Sequence, residues 1–193
     1  MNASIVRLGV LLLALTGPIP LRAEEPAKAA PPAAPDDTVL VADFRAPIPA
    51  IFQYGTWNGK VSPVKSGLAV QGSKGATGKG GMGHDLEAPQ DLSAVTYVEV
   101  ALGIVPGNEV PQVTIALNDA DGTQFSARIT VDQLVPGSPV WLRARRDAFR
   151  LNSVEPGTDS AMDWTKVTRW HVQGDWTTEK PLSIIFVALR TRK

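Results

Sequence analysis

The chain has 193 residues, with 19 Lys and Arg against 19 Asp and Glu, two His and no Cys. That length suits one domain with a real core, and the balanced charge argues against nucleic acid or an acidic membrane surface as partner. Without Cys there are no disulfides, thiolate metal sites, iron–sulfur clusters or thiol catalysis, and the 17 Gly and 16 Pro disfavour helix interiors.

Residues 1–23 have the pattern of a secretory signal peptide. Arg7 precedes an apolar run from Leu8 to Leu15, Thr16-Gly17-Pro18 breaks it, and Leu21-Arg22-Ala23 offers a cleavage point. The run is shorter than the roughly 20 residues that a spanning helix needs. Residues 24–37 carry four prolines (Pro26, Pro31, Pro32, Pro35) and little that could pack, which is the composition of an extended linker. The expectation is an exported protein, periplasmic or extracellular, with no membrane span in the mature chain. Its folded part, residues 38–193, would hold together in an oxidising compartment by core packing alone.

That part reads as a succession of short strands. Candidates are Thr38–Phe44, Gly59–Val64, Gly67–Gln71, Gly81–Leu86, Val95–Leu102, Gln112–Asn118, Thr123–Thr130, Val140–Arg145, Val167–Gln173 and Leu182–Arg190. Pro106-Gly107, Asp121-Gly122, Pro136-Gly137, Pro156-Gly157 and Gly174-Asp175 punctuate them. Strands without intervening helices predict an all-β antiparallel sandwich or barrel.

Alternation within the strands separates core from surface, because successive side chains face opposite sides of a sheet. Val98, Val100 and Leu102 oppose Tyr97 and Glu99. Val113, Ile115 and Leu117 oppose Gln112 and Thr114, and Phe125, Ala127 and Ile129 oppose Ser126 and Arg128. Leu142 and Ala144 oppose Trp141, Arg143 and Arg145, while Trp170 and Val172 oppose Arg169 and His171. Gathered on one face, the polar set would form a platform of guanidinium forks and aromatic rings. Arg supplies fixed donors for hydroxyls or carboxylates, and an aromatic ring stacks on the apolar face of a sugar. The same set also suits an ordinary solvated sheet face.

Other motifs carry less. Gly72 to Gly80 superficially resembles a phosphate loop but lacks the required spacing and a following helix. Asn118-Asp119-Ala120-Asp121-Gly122 reads as a hairpin turn, since no bidentate Glu follows at calcium-loop distance. His84 and Asp85 would point to opposite faces, so they form no dyad. Glu99 is the acid to examine for glycoside hydrolysis, yet neighbouring Arg would hold it ionised in an ion pair. Tyr54, Trp57, Trp164 and Trp176 fall in apparent loops or strand ends, as lids on the core or as stacking platforms.

The order of these segments resembles the galactose-binding-domain-like β-sandwich (jelly roll) superfamily. It is similar in particular to secreted carbohydrate-binding modules and to the complex-I-intermediate-associated type. The residues that carry the likeness are Asp43-Phe44, Gly67-Leu68-Ala69-Val70, the glycine-rich stretch to Gly83, and Asp91-Leu92-Ser93. Further along are Asp119 to Gly122, Trp141, Trp170-His171-Val172-Gln173-Gly174 and the run Leu182–Leu189.

The resemblance implies a non-catalytic module that binds carbohydrate or another small polar ligand, with no cofactor. The ligand-binding residues expected are Tyr97, Glu99, Gln112, Arg128, Trp141, Arg143, Arg169 and His171. No catalytic residue and no metal ligand is assigned. The resemblance allows a structural calcium between the first and last strands. Asp43 matches its acidic position, but Ser183 to Val187 lacks the acidic or amide step of the last strand. An alternative is a structural or protein-interaction module of the cell envelope, and a glycoside hydrolase ranks below both.

Overall fold

The computed structural model describes residues 37–71, 75–153, 156 and 158–193. The expected signal peptide, all of the linker but Asp37, and Gly72, Ser73 and Lys74 of the phosphate-loop-like stretch lie outside the described residues. Twelve strands follow in chain order: β1 (Thr38–Asp43), β2 (Phe52–Gly55), β3 (Val61–Val64), β4 (Gly67–Gln71), β5 (Gly80–Gln90) and β6 (Tyr97–Ile104). Then come β7 (Gln112–Asp119), β8 (Gln124–Thr130), β9 (Val140–Arg145), β10 (Arg150–Ser153), β11 (Val167–Gln173) and β12 (Ser183–Arg192). A 3-10 turn, Arg146–Ala148, joins β9 to β10.

The strands form two antiparallel sheets. The first runs β3-β4-β12-β6-β9, with β1 also paired to β12; the second runs β10-β8-β7-β11-β5-β2. Two strands escaped the sequence reading, β2 and β10, and both are edges of the second sheet. All four β10 side chains are exposed, so no alternation of burial marks it.

The expected core positions are buried except Phe125 and Leu142, which are partly buried against the core. Val98, Val100 and Leu102 of the first sheet meet Val113, Ile115, Leu117, Trp170 and Val172 of the second in one cluster. Phe44 beyond β1 packs edge-on against Trp170 of β11, ring centres 5.4 Å apart, which pins one sheet to the other. Trp57 is fully buried against Phe186 and donates its indole N–H to the Thr77 carbonyl at 2.8 Å, so it is a lid on the core.

Two bulges set which side chains reach solvent. On β12 the register slips between Phe186 and Ala188. Ile184 and Phe186 point inward before the slip, Leu189 and Thr191 after it, which turns Arg190 and Arg192 outward. The second slip lies between Val167 and Arg169 on β11.

The Asp121-Gly122 turn is the expected hairpin. Thr123 N–H donates to Asp119 Oδ1 at 3.0 Å and to Asp121 Oδ1 at 2.9 Å, and Asp163 N–H donates to Asp119 Oδ2 at 2.8 Å. β1 does lie beside β12, but both Asp43 oxygens accept from the Arg45 guanidinium, at 2.8 and 2.7 Å. Among the described residues no group of three acidic or His side chains is placed to hold a metal ion. These residues do not fit a carboxylate-built calcium site.

Candidate functional site

The expectation of one shared polar face is corrected by the strand order. β6 and β9 belong to the first sheet, while β7, β8 and β11 belong to the second. Tyr97, Glu99, Trp141, Arg143 and Arg145 therefore lie on the outside of one sheet, and Gln112, Arg128, Arg169 and His171 on the outside of the other. Each strand's polar side was read correctly, but pairing is non-local and put the sides back to back.

The outer face of the second sheet carries two rows that cross five strands in register. One runs Tyr54, Gly81, Gln173, Thr114, Arg128; the next runs Phe52, Gly83, His171, Ala116, Ser126. The two glycines are required by close approach. A Cβ on Gly81 would stand 2.5 Å from the Tyr54 ring, and one on Gly83 would stand 2.6 Å from the Phe52 ring. The rings of β2 thus fold flat over β5 toward the middle of the sheet.

Above this floor the three rings stack in series. Phe52 and Tyr54 centres are 6.1 Å apart at 29°, and Tyr54 and Trp176 are 6.2 Å apart at 15°. Trp176 stands on the loop after β11 and is 48% exposed, so the stack ends in an indole open to solvent. Beside it lies a cleft of about 290 Å³ lined by Thr114, Ser126, Arg128, Asn152, Gln173, Asp175, Trp176 and Thr177. From Tyr54 on β2 to Arg128 on β8 there are four inter-strand spacings, roughly 19 Å.

A buried hydrogen-bond network supports the floor. His171 Nε2 lies 2.9 Å from Asn118 Oδ1, while its Nδ1 lies 3.0 Å from the Tyr54 hydroxyl. Asn118 offers its amide N–H to the Gly122 carbonyl and accepts from Gln124 Nε2 at 3.0 Å, so its oxygen faces the imidazole. Gln124 Nε2 also stands 3.2 Å from His171 Nε2, but it gives its hydrogen to Asn118, so the shared acceptor Asn118 Oδ1 assigns the Nε2–H tautomer, with Tyr54 donating to Nδ1. Burial, with help from the Arg169 charge, pulls His171 down to about 4, so the ring is neutral at ordinary pH. Burial pushes the Tyr54 phenol up.

The charged groups of this face are largely spoken for. Arg169 pairs with Asp85 and lies over the Phe52 ring. Asp175 Oδ1 accepts from the Thr177 amide and hydroxyl at 3.0 and 2.6 Å, and its Oδ2 accepts from Gln112 at 2.9 Å. Burial alone would raise Asp175, but Thr177, Gln112 and the Arg128 charge together hold it below the usual carboxylate range. Arg128 is exposed and forms no ion pair among the described residues. It is the cation of the cleft.

Of the eight sequence-expected residues, Arg128 alone lines the cleft. Gln112 and His171 support it from beneath, and Arg169 flanks it. Tyr97, Glu99, Trp141 and Arg143 lie on the other side of the molecule. There Glu99 is buried in an ion pair with Arg190, Nε to Oε2 2.6 Å, the role foreseen for it. The sequence reading put Thr114, Ser126 and Gln173 on polar strand faces, and it missed Asn152, Asp175 and Thr177 as lining residues. Gly174-Asp175-Trp176-Thr177 follows a well-marked strand with a turn signal and an aromatic, which was the available clue.

No protein-family model and no curated protein matches the sequence. Solved structures do resemble it. One is a family 11 carbohydrate-binding module from Clostridium thermocellum in complex with a β-1,3-1,4-mixed-linked tetrasaccharide, at 17% identity and TM-score 0.56, covering 80% of this chain and 95% of that one. Another is the family 11 module of the cellulosomal cellulase Lic26A-Cel5E of Clostridium thermocellum, at 18% identity and TM-score 0.54, covering 80% and 94%. An agarase, AgWH50C, matches at 10% identity and TM-score 0.57 over 81% of this chain but 24% of its own. The chain shares the two-sheet β-sandwich fold of these family 11 carbohydrate-binding modules.

Proposed function

We propose that the chain is an exported, non-catalytic carbohydrate-binding module that holds a glycan in the cleft on the outer face of the second sheet. The observation that carries this reading is the Phe52–Tyr54–Trp176 stack, whose open indole borders a trough lined by Arg128, Gln173 and Asn152. A pyranose ring needs both features: an apolar platform for its C–H face, and fixed polar groups for its hydroxyls. The roughly 19 Å span of the face suits several sugar units rather than one. The fold of the family 11 modules, one of them solved with a mixed-linked tetrasaccharide, supports the same reading.

The state of two carboxylates supports binding without hydrolysis. Asp175 has both oxygens engaged and is held ionised, so it is a poor proton donor. Glu99 faces the opposite side of the sandwich. Export rests on the leader-like pattern of residues 1–23, and N-terminal sequencing of protein from the periplasm or medium would begin at Glu24.

Affinity electrophoresis against mixed-linkage β-glucan, agarose and other neutral polysaccharides tests the binding reading. Retardation by at least one of them, with Trp176→Ala weakening it by about 2 kcal/mol or roughly 30-fold, is the expected result. Absence of retardation across the panel, or indifference to Trp176→Ala and Arg128→Ala, would overturn it.

A further inference from the structure

The outer face of the first sheet holds a second aromatic and guanidinium assembly that the cleft does not use. Trp141 of β9 stands opposite Ala101 of β6, yet its ring centre lies 3.7 Å from the guanidinium carbon of Arg190 on β12. β6 separates those two strands, so two spacings, roughly 10 Å, part their backbones. The Arg190 guanidinium is held over β6 by its bond to Glu99, and the indole meets it there. Arg190 covers one face, and Trp141 still keeps 43% exposure.

Next to it, Tyr97 has Arg143 at 5.0 Å and Arg192 at 5.5 Å from its ring centre. Arg190 is neutralised by Glu99, but neither Arg143 nor Arg192 forms an ion pair among the described residues. Stacking on a ring fixes a guanidinium plane while its N–H edges stay free to donate, so little ordering remains to be done on binding. The bulge at Val187 is what turns Arg190 and Arg192 to this side, and bulges re-aim side chains where a surface is built for contact.

Two unneutralised cations select an anion, and planar forks match carboxylate best. The adjacent exposed indole selects a ring with an apolar face. We infer that this face is a second ligand surface, opposite the cleft, for an acidic polysaccharide whose sugar units carry carboxylates. The inference does not depend on what occupies the cleft.

Affinity electrophoresis of the full chain in gels containing polygalacturonate, with mixed-linkage β-glucan gels run in parallel, tests it. Polygalacturonate should retard the protein, and Arg143→Gln with Arg192→Gln should weaken that retardation about tenfold. Arg143→Gln alone, an exposed change that leaves the core untouched, should show part of the loss. Trp176→Ala should leave polygalacturonate binding intact. Lys60→Gln with Lys65→Gln, which removes the same charge from the turns flanking β3, should also leave it intact. Lack of retardation by polygalacturonate overturns the inference. So does an equal loss in the lysine variant, which would mean unspecific charge, or a loss in Trp176→Ala, which would place the acidic glycan in the cleft. Failure of the β-glucan arm alone counts against the cleft and leaves this surface standing.

Discussion

The Tyr54 hydroxyl donates to Nδ1 of His171 across 3.0 Å, joining residues 117 positions apart in the chain. One partner belongs to an aromatic stack that reaches solvent, and the other to a buried amide network of Asn118 and Gln124. The bond makes the platform rigid from below. A ring held at its para position cannot swing away from the sheet when a ligand leaves, so less ordering is charged against affinity.

Tyr54→Phe should separate these roles. It keeps the ring between Phe52 and Trp176 but strands a buried imidazole lone pair, which costs about 1–3 kcal/mol. Urea unfolding should show that loss, while neutral-glycan affinity should change by about threefold or less. Tyr54→Ala should lose affinity strongly as well. A Tyr54→Phe protein as stable as the parent would show that the hydrogen bond contributes nothing.

His171 also predicts a pH dependence. Its native value, pulled down to about 4 chiefly by burial, lies below the ordinary value of 6.5. Between those two values the unfolded chain takes up a proton that the native state refuses. The stabilisation is therefore complete above about pH 6.5 and disappears as pH falls toward 4. At about 1.4 kcal/mol per pH unit, the loss is roughly 3 kcal/mol. Carboxylates titrate in the same range, so the informative quantity is the difference between parent and His171→Gln. Urea midpoints from pH 7.5 to 4 should fall more steeply in the parent. Parallel curves would sink the assignment.

What the sequence revealed divides along local and non-local lines. The inward faces of β7, β8 and β11 were largely legible, because burial of Ile115, Ala127 or Val172 follows from alternation that each strand carries itself, whereas the burial of Asn118, Gln124 and His171 under the β2 rings and loops was not. Pairing was not legible, since nothing in Val140–Arg145 says that it lies beside β6 in the first sheet. That omission merged two faces into one. Trp57 was hidden for a related reason: the space that buries it is left by Gly80, where a Cβ would stand 2.0 Å from the indole. Arg190 escaped notice because simple alternation through Ile184 and Phe186 would have turned it inward, and only the bulge reverses it.

Glu99 and Arg190 form the most enclosed ion pair among the described residues, with side chains 5% and 18% exposed. Glu99→Ala should cost about 3–5 kcal/mol, because it leaves a half-desolvated guanidinium against Trp141 with no counter-charge. Replacing both partners, Glu99→Leu with Arg190→Met, should be milder than Glu99→Ala alone, since no orphaned charge remains. Urea unfolding of the three proteins decides the point. A double variant as unstable as the sum of its single changes would mean that the two residues act independently.

Gly81 and Gly83 should respond differently to the same added methyl. At Gly81 the new carbon meets the Tyr54 ring, 2.5 Å away, which a side-chain rotation relieves. At Gly83 it meets both the Phe52 ring at 2.6 Å and the Trp170 carbonyl at 2.8 Å, and the latter belongs to the central strand β11. Backbone in the middle of a sheet cannot yield without breaking ladder bonds. Gly83→Ala should therefore cost about 1–3 kcal/mol in stability, as overpacking does. Gly81→Ala should cost less but tilt Tyr54 out of the stack, weakening neutral-glycan retardation by more than it weakens the fold. Equal effects of the two changes on both measurements would show that the glycines are there for the backbone and not for the rings laid across them.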